Sequence, residues 1–334
     1  MVDRYSRQAI VIGNDGQDKL AAGSVVIIGC GALGSVIATT LVRAGVGKVR
    51  IIDRDFIEPH NLQRQVLFTE KDIESRLPKA VAAERHLKKV NSSVDIEGIV
   101  ADVNYATIEQ LVIGADIVMD GLDNFETRLL INDVSQKLGI PWVYGGAIAT
   151  FGMTMTIIPH SPPCFRCFTP EVAQRGVIDT CDTAGVIGPA PFIIGSLQAA
   201  EAMKLLLGST DSNRDIISID VWARSFDRLK IPGREDCPAC NGTYEFLDGK
   251  FGRKTTVLCG QNAVQVSAPG RTGLSFPELA ARLGPVGNVD FNKFMFHFTT
   301  GPHEMIIFPD GRAIVRNTTD ESLARGLYSK YIGS

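Results

Sequence analysis

No uninterrupted apolar stretch in this 334-residue chain is long enough to cross a bilayer, although hydrophobic residues make up 45% of it. The longest run, Pro189–Leu207, is broken by Gln198, Glu201 and Lys204, so no membrane span is expected. The charged opening Met1-Val2-Asp3-Arg4-Tyr5-Ser6-Arg7-Gln8 lacks the apolar segment of a signal peptide, which points to a cytoplasmic location. An excess of positive charge is missing as well. The formal net charge is -3, so no global basic field points to nucleic acid or an anionic membrane, and the cations that are present have local jobs. A disulfide framework is missing too: the seven cysteines are odd in number, and four of them fall in two Cys-x-x-Cys pairs, which suits a reducing compartment. No internal repeat or low-complexity tract is visible.

What is present reads as an α/β chain with a satellite unit. Short apolar runs of strand type recur at residues 25–29, 49–53, 94–100, 116–120 and 142–145, and helical stretches alternate with them at about 32–44, 78–90, 107–113 and 125–138. Such alternation predicts a Rossmann-like, mainly parallel sheet with helices on both faces and a nucleotide at the carboxyl ends of its first strands. Residues 151–159 read as an antiparallel strand added to that sheet. A helix from Pro189, ended by Gly208, and strands near 216–222 close this half. Residues 241–254, rich in glycine and charge, read as a linker between a nucleotide-binding domain at 1–241 and a small α+β domain at 255–334. In the small domain, 255–267, 294–299, 304–308 and 312–315 read as strands, 275–283 and 320–331 as helices, and Pro309-Asp310-Gly311 as a hairpin turn. It carries no chemical motif, so a structural or docking role is expected of it.

Val25-Val26-Ile27-Ile28-Gly29-Cys30-Gly31-Ala32-Leu33-Gly34 places Gly29, Gly31 and Gly34 in a Gly-x-Gly-x-x-Gly turn between strand and helix. Asp53 follows about 20 residues on, as a ribose-binding acid does in dinucleotide folds. The turn places a phosphate at a helix N-terminus but does not name the ligand. Arg64 and Lys79 lie beyond the acid. Together they supply charge suited to a triphosphate and a departing pyrophosphate, which a nicotinamide cofactor would not need. Asp123 precedes the helix expected at Phe125 and is also suited to cap it.

Asn61-Leu62-Gln63-Arg64-Gln65, Pro78-Lys79-Ala80, Asp120-Gly121-Leu122-Asp123-Asn124 and Arg4-Tyr5-Ser6-Arg7-Gln8 together resemble the ThiF/MoeB/HesA family of ubiquitin-activating-enzyme-like adenylyltransferases. The resemblance runs from about residue 3 to residue 241. It implies ATP-dependent adenylation of the C-terminal glycine of a small ubiquitin-like sulfur-carrier protein ending in Gly-Gly, in thiamine thiazole or molybdopterin synthesis. It further implies that Gly31 contacts the nucleotide, Asp53 the ribose, and Asn61, Arg64 and Lys79 the phosphates. Asp123 would sit by Mg²⁺ and the α-phosphate with Asn124 beside it. Arg7 would reach across a homodimer to the partner's phosphates. His60 departs from the serine that many relatives carry before the asparagine. Alternatives are a relative that adenylates another carboxylate, such as a peptide or a modified tRNA base, an NAD-dependent dehydrogenase, and a carrier-binding scaffold without catalysis.

Cys164-Phe165-Arg166-Cys167 and Cys237-Pro238-Ala239-Cys240 can each present two thiolates to one tetrahedral ion, and four thiolates leave no open position, so a structural Zn²⁺ is expected. Cys181 lies in a polar stretch, Asp179 to Gly185, where a thiol is accessible. The matching cysteine of the family can link covalently to the activated carrier, whereas Asp179 and Asp182 disfavour a thiolate. Cys30 and Cys259 read as packing residues.

Overall fold

The structure is a computed structural model, and it describes residues 4–169, 184–251, 255–258, 262–266 and 274–332. The chain divides into two compact units, Met1–Phe251 and Gly252–Ser334.

The first unit contains, in chain order, α1 (Ser6–Ile12), α2 (Asn14–Ala22), β1 (Ser24–Ile28), α3 (Ala32–Ala44), β2 (Lys48–Ile52), α4 (Glu70–Glu74), α5 (Lys79–Val90), β3 (Asp95–Ile99), α6 (Ile108–Val112), β4 (Ile117–Asp120), α7 (Phe125–Leu138), β5 (Trp142–Ile148), β6 (Phe151–Ile157), α8 (Phe165–Phe168), α9 (Pro189–Leu207), β7 (Ile216–Asp220) and β8 (Ser225–Leu229). Its strands form one eight-stranded sheet in the order β3-β2-β1-β4-β5-β6-β7-β8. The pairs from β3 through β5 are parallel, and β6, β7 and β8 are added antiparallel. Chain order reverses at β1, which lies between β2 and β4. In register, Ile28 stands opposite both Ile52 and Asp120, so the carboxyl ends of these strands are level there. That is where an open α/β sheet leaves a crevice for a ligand.

The central strands are apolar on both faces because helices cover both, as a parallel sheet requires. Val25, Ile27 and Ile28 are fully buried. Among the described helices, α9 alone has the length and apolar composition of a membrane span. It is a core helix instead, packed on α3, β5 and β6. The polar residues that interrupt it in sequence tie it to the sheet. Gln198 Nε2 donates to the carbonyls of Asp120 and Val143 at 2.8 and 3.1 Å. Glu201 accepts from Thr156 Oγ1 and from the Asn213 N–H.

The second unit is a six-stranded antiparallel sheet with the order β11-β12-β13-β14-β10-β9. Its elements are β9 (Thr255–Leu258), β10 (Ala263–Val266), α10 (Phe276–Leu283), β11 (Asn288–Phe291), β12 (Phe296–Thr300), β13 (His303–Ile307), β14 (Ala313–Arg316) and α11 (Glu321–Tyr331). Alternate residues on its strands, among them Val264, Phe296, Phe298, Met305, Ile307 and Val315, form one apolar face. Phe276, Leu279 and Leu283 of α10 and Ala324 and Tyr328 of α11 cover it. Ser275 and Asp320 cap the two helices.

Several elements differ from the sequence reading. Within 255–267 the described residues form two antiparallel strands, β9 and β10, rather than one. The strands β8 and β11 were not expected. Every residue of β8 is exposed, so it has no buried face and no alternation to betray it, and β11 is nearly as open. The linker expected at 241–254 is packed over its first part. Phe246 and Leu247 are buried, Phe246 stacks on Phe251 at 4.6 Å, and the backbone N–H groups of Phe246 and Leu247 donate to Asp133. Its glycine and charge content concealed two anchoring apolar residues.

Candidate active site and metal centre

The glycine turn closes onto the end of β4. Gly29 has φ 88°, and a Cβ built on it would stand 2.6 Å from the Gly121 carbonyl oxygen. A Cβ on Gly34 or Gly121 would collide with the Gly29 carbonyl. Those glycines are required by packing. Gly31 differs, since a Cβ there would meet only Gln65 Nε2 at 3.8 Å and Gly121 O at 3.9 Å. A Cβ at Gly31 would thus make only ordinary contacts, and no side chain caps the N-terminus of α3. An uncapped helix N-terminus behind a glycine turn fits a nucleotide phosphate.

Asp53 directly follows β2, with its Oδ2 accepting from the Cys30 N–H at 2.6 Å and its Oδ1 from the Asp55 N–H at 2.7 Å. It thereby locks the turn to the neighbouring strand end. Burial pushes its carboxyl up, and Lys79 opposes that shift. Lys79 opens α5, buried, with its N–H on the Asp55 carbonyl and its Nζ 3.5 Å from Asp55 Oδ2. Burial works against the Lys79 charge, but Asp55, then Asp53 and Asp123, raise its pKa above the ordinary value, so it is held charged. One buried cation thus feels three carboxylates from two strand ends, those of β2 and β4.

Asn61 is buried, and its Oδ1 accepts from the Glu58 N–H within a capped 3-10 turn at Pro59–Asn61. Arg64 donates to the His60 carbonyl at 2.8 Å from a half-buried position. Asp123 is exposed, with Asn124 Nδ2 at 3.5 Å from its Oδ1. The capping role considered for Asp123 belongs to Asn124, whose side chain accepts from the Thr127 N–H at 3.0 Å. A β-region asparagine placed directly before the first helical residue is in the better position. Arg7 is exposed on α1, and Arg4 and Tyr5 beside it fasten the N-terminal segment to Val90 and Asn91. Cys181 and Cys259 lie outside the described residues.

Sequence reasoning missed the ion pair beneath this rim. Arg128 on α7 and Asp120 at the end of β4 are both buried, 2.8 Å apart from Nε to Oδ2. Removing one partner of such a pair costs about 3–5 kcal/mol, because the other is left charged and buried. A lone arginine on an otherwise ordinary helix gave no signal. Its one mark was the acid at the strand end eight residues earlier. Arg54, paired with Asp102, was missed for the same reason.

The four cysteines of the Cys-x-x-Cys pairs meet. Their Sγ atoms all lie within 4.8 Å of one another. Cys164 stands 3.9 Å from Cys167 and 3.6 Å from Cys237, and Cys167 stands 3.7 Å from Cys240. A tetrahedral thiolate site with metal–sulfur bonds of about 2.3 Å has edges of about 3.8 Å, so the group fits a metal ion. Asn132 fixes the first pair: its Oδ1 accepts from the Phe165 N–H and its Nδ2 lies 3.7 Å from Cys164 Sγ.

Comparison with known proteins places the chain in a family. The model of the ThiF family matches residues 5–239. The sulfur carrier protein ThiS adenylyltransferase of Bacillus subtilis is 42% identical over 340 residues, covering 100% of both chains. The SAMP-activating enzyme E1 of Haloferax volcanii is 37% identical over 72% of this chain and 88% of its own. A crystal structure of Escherichia coli MccB with ATP superposes with a TM-score of 0.63 at 24% identity, over 72% of this chain and 75% of that one, a likeness of fold.

Proposed function

The chain belongs to the ThiF family, and from that premise we propose that it uses ATP to adenylate the C-terminal glycine of a small ubiquitin-like sulfur-carrier protein, releasing pyrophosphate. The observation that carries this reading is the buried Lys79 held charged by Asp55, Asp53 and Asp123 at the strand ends beside the glycine turn. A dehydrogenase would leave that cation and Arg64 without a shared purpose.

The reaction brings two anions together. A carboxylate oxygen of the carrier attacks the α-phosphorus, a new C–O–P linkage forms, and the bond to the bridging oxygen of the β-phosphate breaks as pyrophosphate leaves with the electron pair. The nucleophile is already ionised at neutral pH, so no general base is needed, and positive charge supplies the stabilisation. Gly31 and the α3 N-terminus receive the nucleotide, and Asp53 takes the ribose. Asn61, Arg64 and Lys79 hold the phosphates. Asn61 spends its Oδ1 on Glu58, which leaves Nδ2 as the end that donates. Asp123, with Asn124 beside it, would hold Mg²⁺, which supplies charge compensation at the phosphates when bound. Arg7 completes the site from the partner of a homodimer. Cys164, Cys167, Cys237 and Cys240 hold a structural Zn²⁺. The cytoplasm is the compartment that suits these thiols.

The test is carrier-dependent exchange of labelled pyrophosphate into ATP, run with carriers of the thiamine and the molybdopterin kind. Exchange with one and not the other names the partner, and absence of exchange with every Gly-Gly carrier overturns the reading. Metal analysis is expected to find one zinc per chain, lost in Cys237→Ser.

A further inference from the structure

We infer that Arg128 is a positioning residue for adenylation: its guanidinium fixes the loop that carries Asp123 and ties that loop to the middle of β5. This rests on the adenylation reading above. Asp123 itself is exposed, and its one described hydrogen-bond neighbour is Asn124. The loop takes its shape from beneath. Asp120 Oδ1 accepts from the Leu122 N–H at 2.9 Å, which turns the chain back over the strand end.

Arg128 then closes the structure from the helix side. Its Nε donates to Asp120 Oδ2 at 2.8 Å, while its Nη2 donates to the Leu122 carbonyl at 2.6 Å and to the Gly145 carbonyl at 2.8 Å. The Gly145 N–H returns to Asp120 Oδ2 at 3.3 Å. Phe125 and Tyr144 flank the guanidinium, 5.6 and 5.3 Å from it to the ring centroids. Nothing but a planar fork can serve a carboxylate and two carbonyls at once, and lysine offers a single point charge. The residue just past the clamped Leu122 is Asp123. A clamp at this place sets where the Asp123 carboxylate stands relative to Lys79, on which it already acts electrostatically. Misplacement by about 1 Å costs a reaction of this kind on the order of 10²-fold.

The experiment compares the full-length chain with Arg128→Lys, which keeps the charge and loses the fork. Three quantities are read: pyrophosphate exchange against Mg²⁺ concentration, stoichiometry of ATP binding at saturation, and amide hydrogen exchange. Arg128→Lys is expected to lower kcat about 100-fold and to raise the half-saturating Mg²⁺ several-fold. ATP stoichiometry stays at the wild-type level, and faster amide exchange is confined to residues 121–124 and 145. A fall in kcat matched by an equal fall in ATP stoichiometry, with unchanged Mg²⁺ dependence, overturns the inference, because it reports only a smaller folded fraction. Wild-type behaviour overturns it as well. Where Arg128→Lys does not fold, Asp120→Asn asks the same question with the same measurements, removing the charge under Arg128 at constant shape. Failure of the wild-type chain to exchange pyrophosphate with any carrier would strike the adenylation reading, a result distinct from any behaviour of the variants.

Discussion

The two units of this chain bury polar groups for different ends. In the first unit four buried charges gather at strand ends on one rim of the sheet: Asp53 after β2, Lys79 at the start of α5, and Asp120 with Arg128 beneath the Asp123 loop. In the second unit the cluster between sheet and helices is apolar, and ion pairs such as His297 with Glu304 and Arg316 with Glu304 join neighbouring strands at partly exposed positions. Buried charge is costly to fold and is retained where it orders a site. The first unit carries that cost where the glycine turn meets the strand ends, whereas in the second unit the described buried charge is the Arg312 guanidinium, set over the Phe308 ring and beside Asp310 at the hairpin turn. The difference separates a unit built around a reaction from one built around its own packing.

The sharpest break between the units is Asp123→Ala. Because its side chain is exposed, it is expected to leave the unfolding midpoint of the first unit unchanged while lowering pyrophosphate exchange about 10³-fold, about 4 kcal/mol. Retained exchange would remove Asp123 from the site. Met305→Ala should do the reverse. Fully buried in the second unit, it is expected to cost that unit about 3 kcal/mol in denaturant unfolding and to leave exchange untouched. A parallel loss of exchange would show that the second unit takes part in the reaction. Arg64→Ala is expected to lower exchange about 100-fold, about 2.7 kcal/mol, chiefly through kcat, since Arg64 has no structural bond beyond the His60 carbonyl among those described.

The first unit was the more legible in the sequence. The helices at Ala32–Ala44, Phe125–Leu138 and Pro189–Leu207 and the five parallel strands follow from apolar periodicity bounded by glycine, proline and asparagine. The spacing of Cys164, Cys167, Cys237 and Cys240 announced a shared site because a Cys-x-x-Cys turn has little other use when repeated. Local patterns do not report long-range partners. Gln198 and Glu201 looked like blemishes on an apolar helix, and they are the groups that bond it to the carbonyls of β4 and β5 and to Thr156. Arg128 and Asp120 became a pair only once α7 was laid over the sheet. The strands β8 and β11 escaped notice because exposure on both faces erases the alternation by which a strand is read.

The smallest expected effect sets the units against each other in pH. Asp133, on α7, accepts the N–H groups of Phe246 and Leu247, and its carboxyl is pushed up to about 7, chiefly by burial, against the pull of those two donors. A folded pKa above the unfolded one means that the native state keeps its proton where the unfolded chain has released it. The stability so gained is complete below the ordinary carboxylate pKa and is lost as pH rises through about 7. Between pH 6 and pH 8 the loss from this group is roughly 1 kcal/mol. In the second unit Glu304 has the opposite sign: the hydrogen bond from His297 holds its carboxyl below the ordinary value, so its contribution is present above that value and fades as pH falls. Urea unfolding at pH 6 and pH 8 should therefore show the first unit weakening on the alkaline side, with the slope flattened in Asp133→Asn. Glu304→Gln should leave that slope in place and flatten only the acid limb of the second unit. An alkaline slope that survives Asp133→Asn would move its origin to Asp53 and Asp120, whose carboxyls burial also pushes up, and would make the rim of strand ends the pH-sensitive part of the fold.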